Sequence, residues 1–372
     1  MPTHYIATAD ELAALCLQLR QAPWIALDTE FMRERTYYAK LCLMQIATPD
    51  IIACVDPLAL DDLTPLLDLI YDPQVLKVLH SARQDLEVFF DLRGAPPAPV
   101  FDTQIAAAFL GFDEQIGYAA LVEAVTGTKL DKAHTRANWA ARPLSPEQIV
   151  YAEDDVRYLR DVYLHLRQRL VETGRQAWLR DEFTQLVDTA LYLNDPSLAW
   201  RRIKNGHQLN ANAQNVLQAL CDWRERTAQT HNLPRSWVLR DSVMLDIARR
   251  TPQTPEQLSA IRDMDEKTAL RWSGEILEIA SRHNLPAMQT LWSTPAPLSP
   301  EQTQLCRDMA KLLDTTARDH QLSPIALGTR RDLQRLVLGC KEVPQLHGWR
   351  YEIIGRPLLD LLEHHALPIV DS

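Results

Sequence analysis

Short apolar runs bounded by turn residues predict strands in the first hundred residues. These runs cover residues 24–31, 40–47, 51–55, 75–80 and 100–101. Stretches with helical spacing lie between and around them, at residues 10–21, 60–71, 82–90 and 103–110. Three strands that can meander, followed by strand, helix and strand, predict an α/β domain with a mixed sheet of about five strands.

The apolar pattern changes to a purely helical one past about residue 205. A weak internal repeat with an offset of 89 residues aligns Leu209 with Leu298 and Asn232 with Gln321. Both copies close on similar endings, at residues 283–286 and 365–368, and a proline-rich linker at 294–300 separates them. The pattern therefore predicts an α/β domain at residues 1–205 and two small all-α domains at 206–290 and 291–372.

Two acids stand at the end of the first apolar strand. Asp28 and Glu30 are two residues apart, so both side chains leave the same face of the strand. Neighbouring carboxylates repel each other unless a positive charge lies between them, and hard oxygen ligands favour Mg²⁺ or Mn²⁺. A solvated strand end is the alternative for this pair taken alone.

A second group of acids lies on a helix with a clear beginning. Ser145, Pro146 and Gln148 form the pattern of an N-cap, a first-turn proline and a capping box. At about 100° per residue, Asp155 lies beside the apolar stripe of this helix, whereas Asp154 is expected to face solvent. Tyr151 projects from the same side as Asp155, one turn earlier, where a phenol can orient or help deprotonate an attacking water.

Two further acids follow the later strands. Asp85 lies in the opening turn of a helix, where an acid commonly complements the helix dipole. Asp102 is predicted to be the N-cap of the next helix and not a ligand. Four carboxylates from three segments, with a nearby phenol, are the groups that two-metal phosphoryl transfer requires.

Composition limits the function classes. The 372 residues are 46% hydrophobic and 24% charged, without an apolar run long enough to span a membrane. The acidic N-terminus lacks the pattern of a signal peptide, so a cytoplasmic location is expected. Six cysteines without a C-x-x-C pair favour buried thiols over zinc or disulfides. The net charge of −10 is uneven, with −12 in residues 1–200 and +2 beyond them.

Three short segments resemble the exonuclease motifs of the DEDD superfamily. They are Asp28-Thr29-Glu30-Phe31, His80-Ser81-Ala82-Arg83-Gln84-Asp85 and Tyr151-Ala152-Glu153-Asp154-Asp155. The Tyr-x-x-x-Asp form of the third motif is typical of the tyrosine subgroup. Together with residues 135–152, these segments resemble the bacterial ribonuclease D family, whose C-terminal region contains two tandem helicase-and-RNase-D C-terminal (HRDC) modules.

This resemblance implies an RNase H-like fold and a 3′→5′ exoribonuclease that releases 5′-mononucleotides with two divalent ions, Mg²⁺ or Mn²⁺. The implied partners are RNA substrates, chiefly tRNA precursors with 3′ extensions, without a membrane or an obligate protein partner. Carried over by position, the metal ligands are Asp28, Glu30, Asp85 and Asp155, and Tyr151 positions the nucleophilic water. Phe31 and Gln84 are expected to touch the terminal nucleotide.

Two other functions remain open at this stage. A DNA 3′→5′ exonuclease uses the same site chemistry, and no residue of the sequence identifies a 2′-hydroxyl contact. A non-catalytic RNA-binding protein with a decayed nuclease domain is the other alternative, but all five site residues are present. Basic residues near the helical modules suggest an additional binding surface for structured RNA. They are Arg201, Arg202, Lys204, Arg330 and Arg331.

Overall fold

The structure is a computed structural model that describes residues 3–130, 137–282 and 298–365. It contains six strands: β1 (Thr3–Ile6), β2 (Trp24–Met32), β3 (Lys40–Ala47), β4 (Ile52–Val55), β5 (Leu76–Leu79) and β6 (Val100–Asp102). The five strands predicted from apolar runs correspond to β2–β6. The apolar residues of β2, β3 and β4 are buried on both faces, as expected for the interior of a sheet covered by helices.

All six strands form one mixed sheet, in the order β1-β4-β3-β2-β5-β6. Strand β4 runs parallel to β1 and antiparallel to β3, whereas β5 runs parallel to both β2 and β6. The expectation of about five strands was therefore wrong by one. Strand β1 was missed because its residues, Thr3–Ile6, do not form an apolar run, and its partner β4 lies about fifty residues further along the chain.

Helices occupy most of the remaining described chain. In the first 200 residues they are α1 (Ala9–Leu19), α2 (Thr64–Ile70), α3 (Arg83–Arg93), α4 (Thr103–Ala108), α5 (Tyr118–Thr126), α6 (Pro146–Glu172) and α7 (Leu179–Leu186). Beyond them lie α8 (Ala211–His231), α9 (Arg235–Val238), α10 (Asp241–Arg250), α11 (Pro255–Ser259) and α12 (Glu266–Arg282). The last five are α13 (Pro300–Asp319), α14 (Pro324–Leu327), α15 (Arg330–Val337), α16 (Gly348–Arg350) and α17 (Arg356–His364).

The chain divides into two compact units. The first unit comprises Met1–Phe31, Leu41–Leu191 and Pro297–Ser372, and the second comprises Met32–Lys40 and Tyr192–Ala296. The segment between β2 and β3 thus belongs to the helical second unit, although both strands lie in the sheet. The predicted division at residues 205 and 290 stays a prediction.

In the first unit, the long helix α6 packs on the sheet through its buried stripe. Ala152, Val156 and Leu159 are fully buried, and the Tyr163 ring lies 4.9 Å from that of Trp24 on β2. The predicted helix beginning is confirmed, because α6 begins at Pro146 and its N-cap Ser145 forms a reciprocal capping box with Gln148. This packing fixes the rotation of α6 about its axis, and with it the directions of its acidic side chains.

The C-terminal helices α13–α17 have their own apolar core, built on Leu305, Met309, Leu313 and Leu358. Within the first unit they also contact the α/β elements. The Ser323 amide donates to the carbonyl of Ala108, and the rings of Trp178 and Trp349 stack 4.4 Å apart. This region is therefore anchored to the rest of its unit by both hydrogen bonds and aromatic packing.

The 89-residue repeat has a counterpart in the helices. Helices α8, α9 and α10 begin 89 residues before α13, α14 and α15. Asn232 and Gln321, which the repeat aligns, both adopt a left-handed conformation just after the longest helix of their copy. The predicted endings at 283–286 and 366–368 lie outside the described residues, as does most of the linker at 294–300.

Lys77 is fully buried in the middle of β5, which is unusual for a charged side chain. Its ammonium group donates to the carbonyl oxygens of Asp72, Val75 and Ala98, at 3.0, 2.6 and 2.7 Å. Burial lowers the pKa of Lys77 to about 8. The three bonds satisfy backbone oxygens in the loop before β5 and in the loop before β6.

We expect Lys77→Met to lower the free energy of unfolding by about 2–4 kcal/mol, because it leaves three carbonyl oxygens, that of Val75 in a buried bond, without their donor. Chemical denaturation followed by circular dichroism measures this loss. Lys40→Met, at the exposed first position of β3, is the matched control and is expected to change stability by less than about 0.5 kcal/mol. Equal effects of the two substitutions would show that the Lys77 bonds do not stabilise the fold.

Candidate active site

Strand β2 carries the first two acids of the site. Residues Trp24–Leu27 are buried and fix the strand in the sheet, and Asp28 and Glu30 follow at the half-buried end. Thr29 between them points to the other face, in agreement with a period of two, and is buried. The strand thus presents two carboxylates on one side.

Helix α6 brings Asp155 to the same place. One carboxylate oxygen each from Asp28, Glu30 and Asp155 lie within 4.8 Å of one another. Asp154, the neighbouring acid, is about one third exposed and forms an ion pair with Arg157 at 3.1 Å. The helix rotation inferred from the sequence therefore selects the acid that joins the cluster.

Asp85 lies beside this group in the first turn of α3 but does not belong to the set within 4.8 Å. Its side chain is buried and accepts a hydrogen bond from the Thr29 hydroxyl at 2.5 Å. Its negative charge contributes to the raised pKa values of both Glu30 and Asp155. Four acids from β2, α3 and α6 are thus electrostatically coupled.

Burial is the largest cause of raised pKa values in this cluster, and repulsion between the acids is the next. The pKa of Glu30 rises to about 9 and that of Asp155 to about 7. The pKa values of Asp28 and Asp85 lie well above their usual range. The charged neighbours acting on these groups are themselves acids. A cluster of half-buried oxygen ligands with excess negative charge fits a divalent cation such as Mg²⁺ or Mn²⁺.

Tyr151 lies one turn before Asp155 on α6, partly exposed, with its ring 6.0 Å from that of Trp139. It lines a pocket of about 400 Å³ together with Asp154, Asp155 and the first residues of α6. Asp155 is the one cluster acid among the lining residues, so the pocket reaches the carboxylate site from the α6 side. A ligand in this pocket contacts the phenol and the acid together.

Tyr118 was missed by the sequence reasoning. Its hydroxyl donates to the backbone oxygen of Asp154 at 2.8 Å, and its ring lies 5.5 Å from that of His80. Burial, followed by the charges of Asp155 and Asp28, raises its pKa well above the usual range. Tyr118 therefore holds the segment of α6 that carries Asp155. A lone tyrosine at a helix beginning gives no sequence signal for such a contact.

The other predicted residues lie near these elements. Asp102 is buried and caps α4, accepting the backbone amides of Gln104 and Ile105, as predicted. Phe31 is half-buried near the end of β2, and Gln84 is exposed in the first turn of α3. The contacts expected of Phe31 and Gln84 with a nucleotide stay predictions.

Comparison with known proteins agrees with this geometry. The model of the 3′-5′ exonuclease family matches residues 3–171, and the HRDC domain model matches residues 213–279. A ribonuclease D of Granulibacter bethesdensis is 40% identical over 96% of this chain and 91% of its own length. The chain belongs to the ribonuclease D family. A ribonuclease D of Pseudomonas paraeruginosa is 39% identical over 95% of both chains.

Solved structures give the same result. The crystal structure of Escherichia coli RNase D, described as an exoribonuclease involved in structured RNA processing, matches with a TM-score of 0.86 and 31% identity. The match covers 98% of this chain and 99% of that one. The catalytic core of RRP6 from Trypanosoma brucei matches with a TM-score of 0.60 and 25% identity, over 76% of this chain and 79% of that one.

As a ribonuclease D family member with this carboxylate cluster, the protein is a metal-dependent 3′→5′ exoribonuclease with an RNase H-like fold. The comparisons find one HRDC module, in α8–α12, where tandem modules were expected. No helix in the described residues is long and apolar enough to cross a membrane. The six cysteines all lie in the described residues, without a disulfide between them, and the thiols of five of them are buried.

The raised pKa values of the cluster acids predict how nucleotide release depends on pH. An acid with a raised pKa keeps its proton to higher pH, and a metal ion must displace that proton to bind. At limiting Mn²⁺, nucleotide release is therefore expected to rise with pH between about 7 and 9, the values for Asp155 and Glu30. Initial rates at two Mn²⁺ concentrations test this, because saturating metal should move the midpoint to lower pH. If the midpoint of the pH profile does not depend on the Mn²⁺ concentration, these acids do not bind the metal.

Proposed function

We propose that the protein hydrolyses RNA from the 3′ end and releases 5′-mononucleotides, using two divalent ions, Mg²⁺ or Mn²⁺. The observation that carries the proposal is the group of three carboxylates within 4.8 Å, with Asp85 beside it. Asp28, Glu30, Asp85 and Asp155 would hold the ions. When bound, such ions supply Lewis acidity and neutralise charge that develops during phosphoryl transfer.

The chain's own groups position the reactants. Tyr151 holds the attacking water through its hydroxyl, and its ring is oriented by packing near Trp139. Thr29 holds one oxygen of Asp85, which leaves the other oxygen available as a ligand. Phe31 and Gln84 contact the terminal nucleotide from the end of β2 and the beginning of α3.

For the substrate, we propose tRNA precursors with 3′ extensions, processed in the cytoplasm. The similarity to the E. coli enzyme of structured RNA processing supports a structured RNA. The second helical region, α13–α17, is proposed to be a divergent HRDC copy, and the matching order of α8–α10 and α13–α15 supports this. With it, the three domains would span 1–205, 206–290 and 291–372.

Two assays test the proposal. Nucleotide release from a tRNA precursor should stop in chelator and return with Mn²⁺, whereas release that persists in chelator would exclude the metal-dependent function.

The second assay compares the degradation rates of matched RNA and DNA substrates with identical 3′ overhangs, and so shows which sugar the enzyme prefers. Faster degradation of the DNA would favour the DNA exonuclease over the proposed ribonuclease.

A further inference from the structure

A cavity of about 460 Å³ in the second unit is lined by an unusual number of cations. Its walls come from the segment between β2 and β3, the turn at residues 199–203, and helices α8, α9 and α10. We call it the arginine pocket, after its five lining arginines Arg33, Arg202, Arg224, Arg235 and Arg240. Two lining acids, Glu225 and Asp241, leave a clear excess of positive charge.

The buried acid Glu225 is fully engaged by its neighbours. It accepts hydrogen bonds from the Tyr37 hydroxyl at 2.5 Å and from both Nε and Nη2 of Arg235, at 2.7 and 2.6 Å. The Arg235 guanidinium also lies 4.7 Å from the centre of the Tyr37 ring. Arg202 also lies 3.7 Å from Glu225 and donates to the Asn194 side chain at 2.9 Å. Glu225 is therefore balanced by Arg235 and Arg202, and Asp241 pairs with Arg224 at 2.6 Å.

Arg224 is a buried cation that retains hydrogen-bonding capacity. Its side chain is only 6% exposed, and Nη1 donates to the carbonyl of Leu239 at 2.9 Å and to Asp241 at 2.6 Å. Its Nε is buried without a hydrogen-bond partner in the described part of the chain. A buried guanidinium whose donors are incompletely used is costly, and an anion bound in the pocket offsets that cost.

The segment that carries Arg33 is anchored to α8. The backbone amides of Tyr37 and Tyr38 both donate to the Asn232 side chain at 3.0 Å, directly after the end of the helix. Arg240 comes much later in the sequence and is exposed, immediately before α10. Arginines from distant parts of the chain are thus held around one cavity before any ligand binds.

We propose that the arginine pocket binds a backbone phosphate of the RNA substrate. Guanidinium groups match phosphate oxygens with paired donors, and the cavity has five lining arginines but only two lining acids. The excess positive charge favours one bound phosphate group. A second cavity, of about 340 Å³, shares Arg240 and Ser236 with the pocket and is lined by Trp237, which is 54% exposed. An exposed indole next to a phosphate site suits stacking of the adjoining base.

This inference rests on the proposed exoribonuclease function, because it assigns the phosphate to the same RNA. The test uses the full-length protein in chelator and a labelled single-stranded RNA, with binding measured over a range of KCl concentrations. Arg202→Ala combined with Arg240→Ala should weaken binding about tenfold and flatten the salt dependence, since each lost phosphate contact removes about 0.7 from the logarithmic slope for single strands.

The matched control combines Arg249→Ala with Arg250→Ala, which removes the same charge from the other end of α10, about 15 Å from Arg240 along the helix. The control pair should keep the affinity within about twofold of the unchanged protein. Equal losses in the two pairs would overturn the proposal, because they would reflect net charge and not a site. Unchanged affinity and slope in the pocket pair would overturn it as well.

Turnover of a dinucleotide with Mn²⁺ separates this inference from the catalytic proposal. The pocket pair should degrade the dinucleotide at the unchanged rate, because so short a substrate supplies a single phosphodiester. If the unchanged protein degrades RNA but the pocket pair binds it equally well, only the inference is wrong. If the unchanged protein neither binds nor degrades RNA, the proposed function itself is wrong. Binding of inorganic phosphate without any effect on RNA affinity would identify a free anion as the ligand and overturn the RNA assignment.

Discussion

Asp155→Asn is expected to lower the rate of nucleotide release by about 10³-fold at saturating Mn²⁺, while Asp154→Asn stays within a few-fold of the unchanged enzyme. Asp155 belongs to the carboxylate group within 4.8 Å and is proposed to bind metal. Losing a metal ligand removes several kcal/mol of transition-state stabilisation. Asp154 forms only a partly exposed ion pair with Arg157, which contributes little. Steady-state rates on one RNA substrate compare the two neighbours directly.

The same substitution should stabilise the metal-free protein. The pKa of Asp155 is raised to about 7, so the folded state holds this proton more tightly than the unfolded chain does. Its contribution to stability is present at low pH and is lost as the pH rises towards 7. At pH 8, Asp155→Asn should therefore raise the free energy of unfolding by about 2–4 kcal/mol, given about 1.4 kcal/mol for each pKa unit. The gain should grow between pH 4 and 7 and be small for Asp154→Asn.

A loss of activity with a gain in stability distinguishes a functional acid from a structural one. If Asp155→Asn destabilises the metal-free protein at pH 8, burial and repulsion are not the dominant influences on this carboxylate. If Asp154→Asn abolishes activity to the same extent, the assignment of the two acids from the helix rotation is wrong.

Tyr151→Phe is expected to lower kcat by about 10²–10³-fold and to leave the midpoint of Mn²⁺ activation unchanged. The phenol hydroxyl is proposed to hold the attacking water, and such proton-handling groups contribute factors of about 10²–10⁴. Phenylalanine keeps the ring that packs 6.0 Å from Trp139, so the fold should be unaffected. Rates measured against both RNA and Mn²⁺ concentration separate kcat from binding.

Tyr158→Phe is the matched control, because Tyr158 lies on the same helix and packs against the apolar core. It removes the same hydroxyl from a position two turns further along α6. Equal rates for the two variants would reject a chemical role for Tyr151. A shift in the Mn²⁺ midpoint for Tyr151→Phe would indicate that the residue acts through the metal ligands instead.

The parts of this fold that local pattern determines were predictable. Apolar runs with proline or aspartate at their ends located β2–β6, and the capping box at Ser145 located the beginning of α6. The strand period placed Asp28 and Glu30 on one face, and the helical period placed Asp155 beside the apolar stripe of α6 and Asp154 towards solvent. In each case the information lies within a few residues of the sequence.

The parts that depend on distant contacts were not predictable from pattern alone. An acid in the first turn of a helix, such as Asp85, is ordinarily a dipole complement, and its coupling to the other acids requires the position of β2. Tyr118 acts through a bond to the backbone of Asp154, 36 residues further along the chain. The arginine pocket joins Arg33 to Arg240, and no periodicity relates segments so far apart.

We propose that Asp28, Glu30, Asp85 and Asp155 together bind two divalent ions. A crystal of the protein grown with Mn²⁺ and measured at the manganese absorption edge tests this assignment. We predict two anomalous peaks, each within coordination distance of these carboxylates. The absence of manganese from this cluster in crystals of protein that is active with Mn²⁺ would exclude the four acids as the metal site.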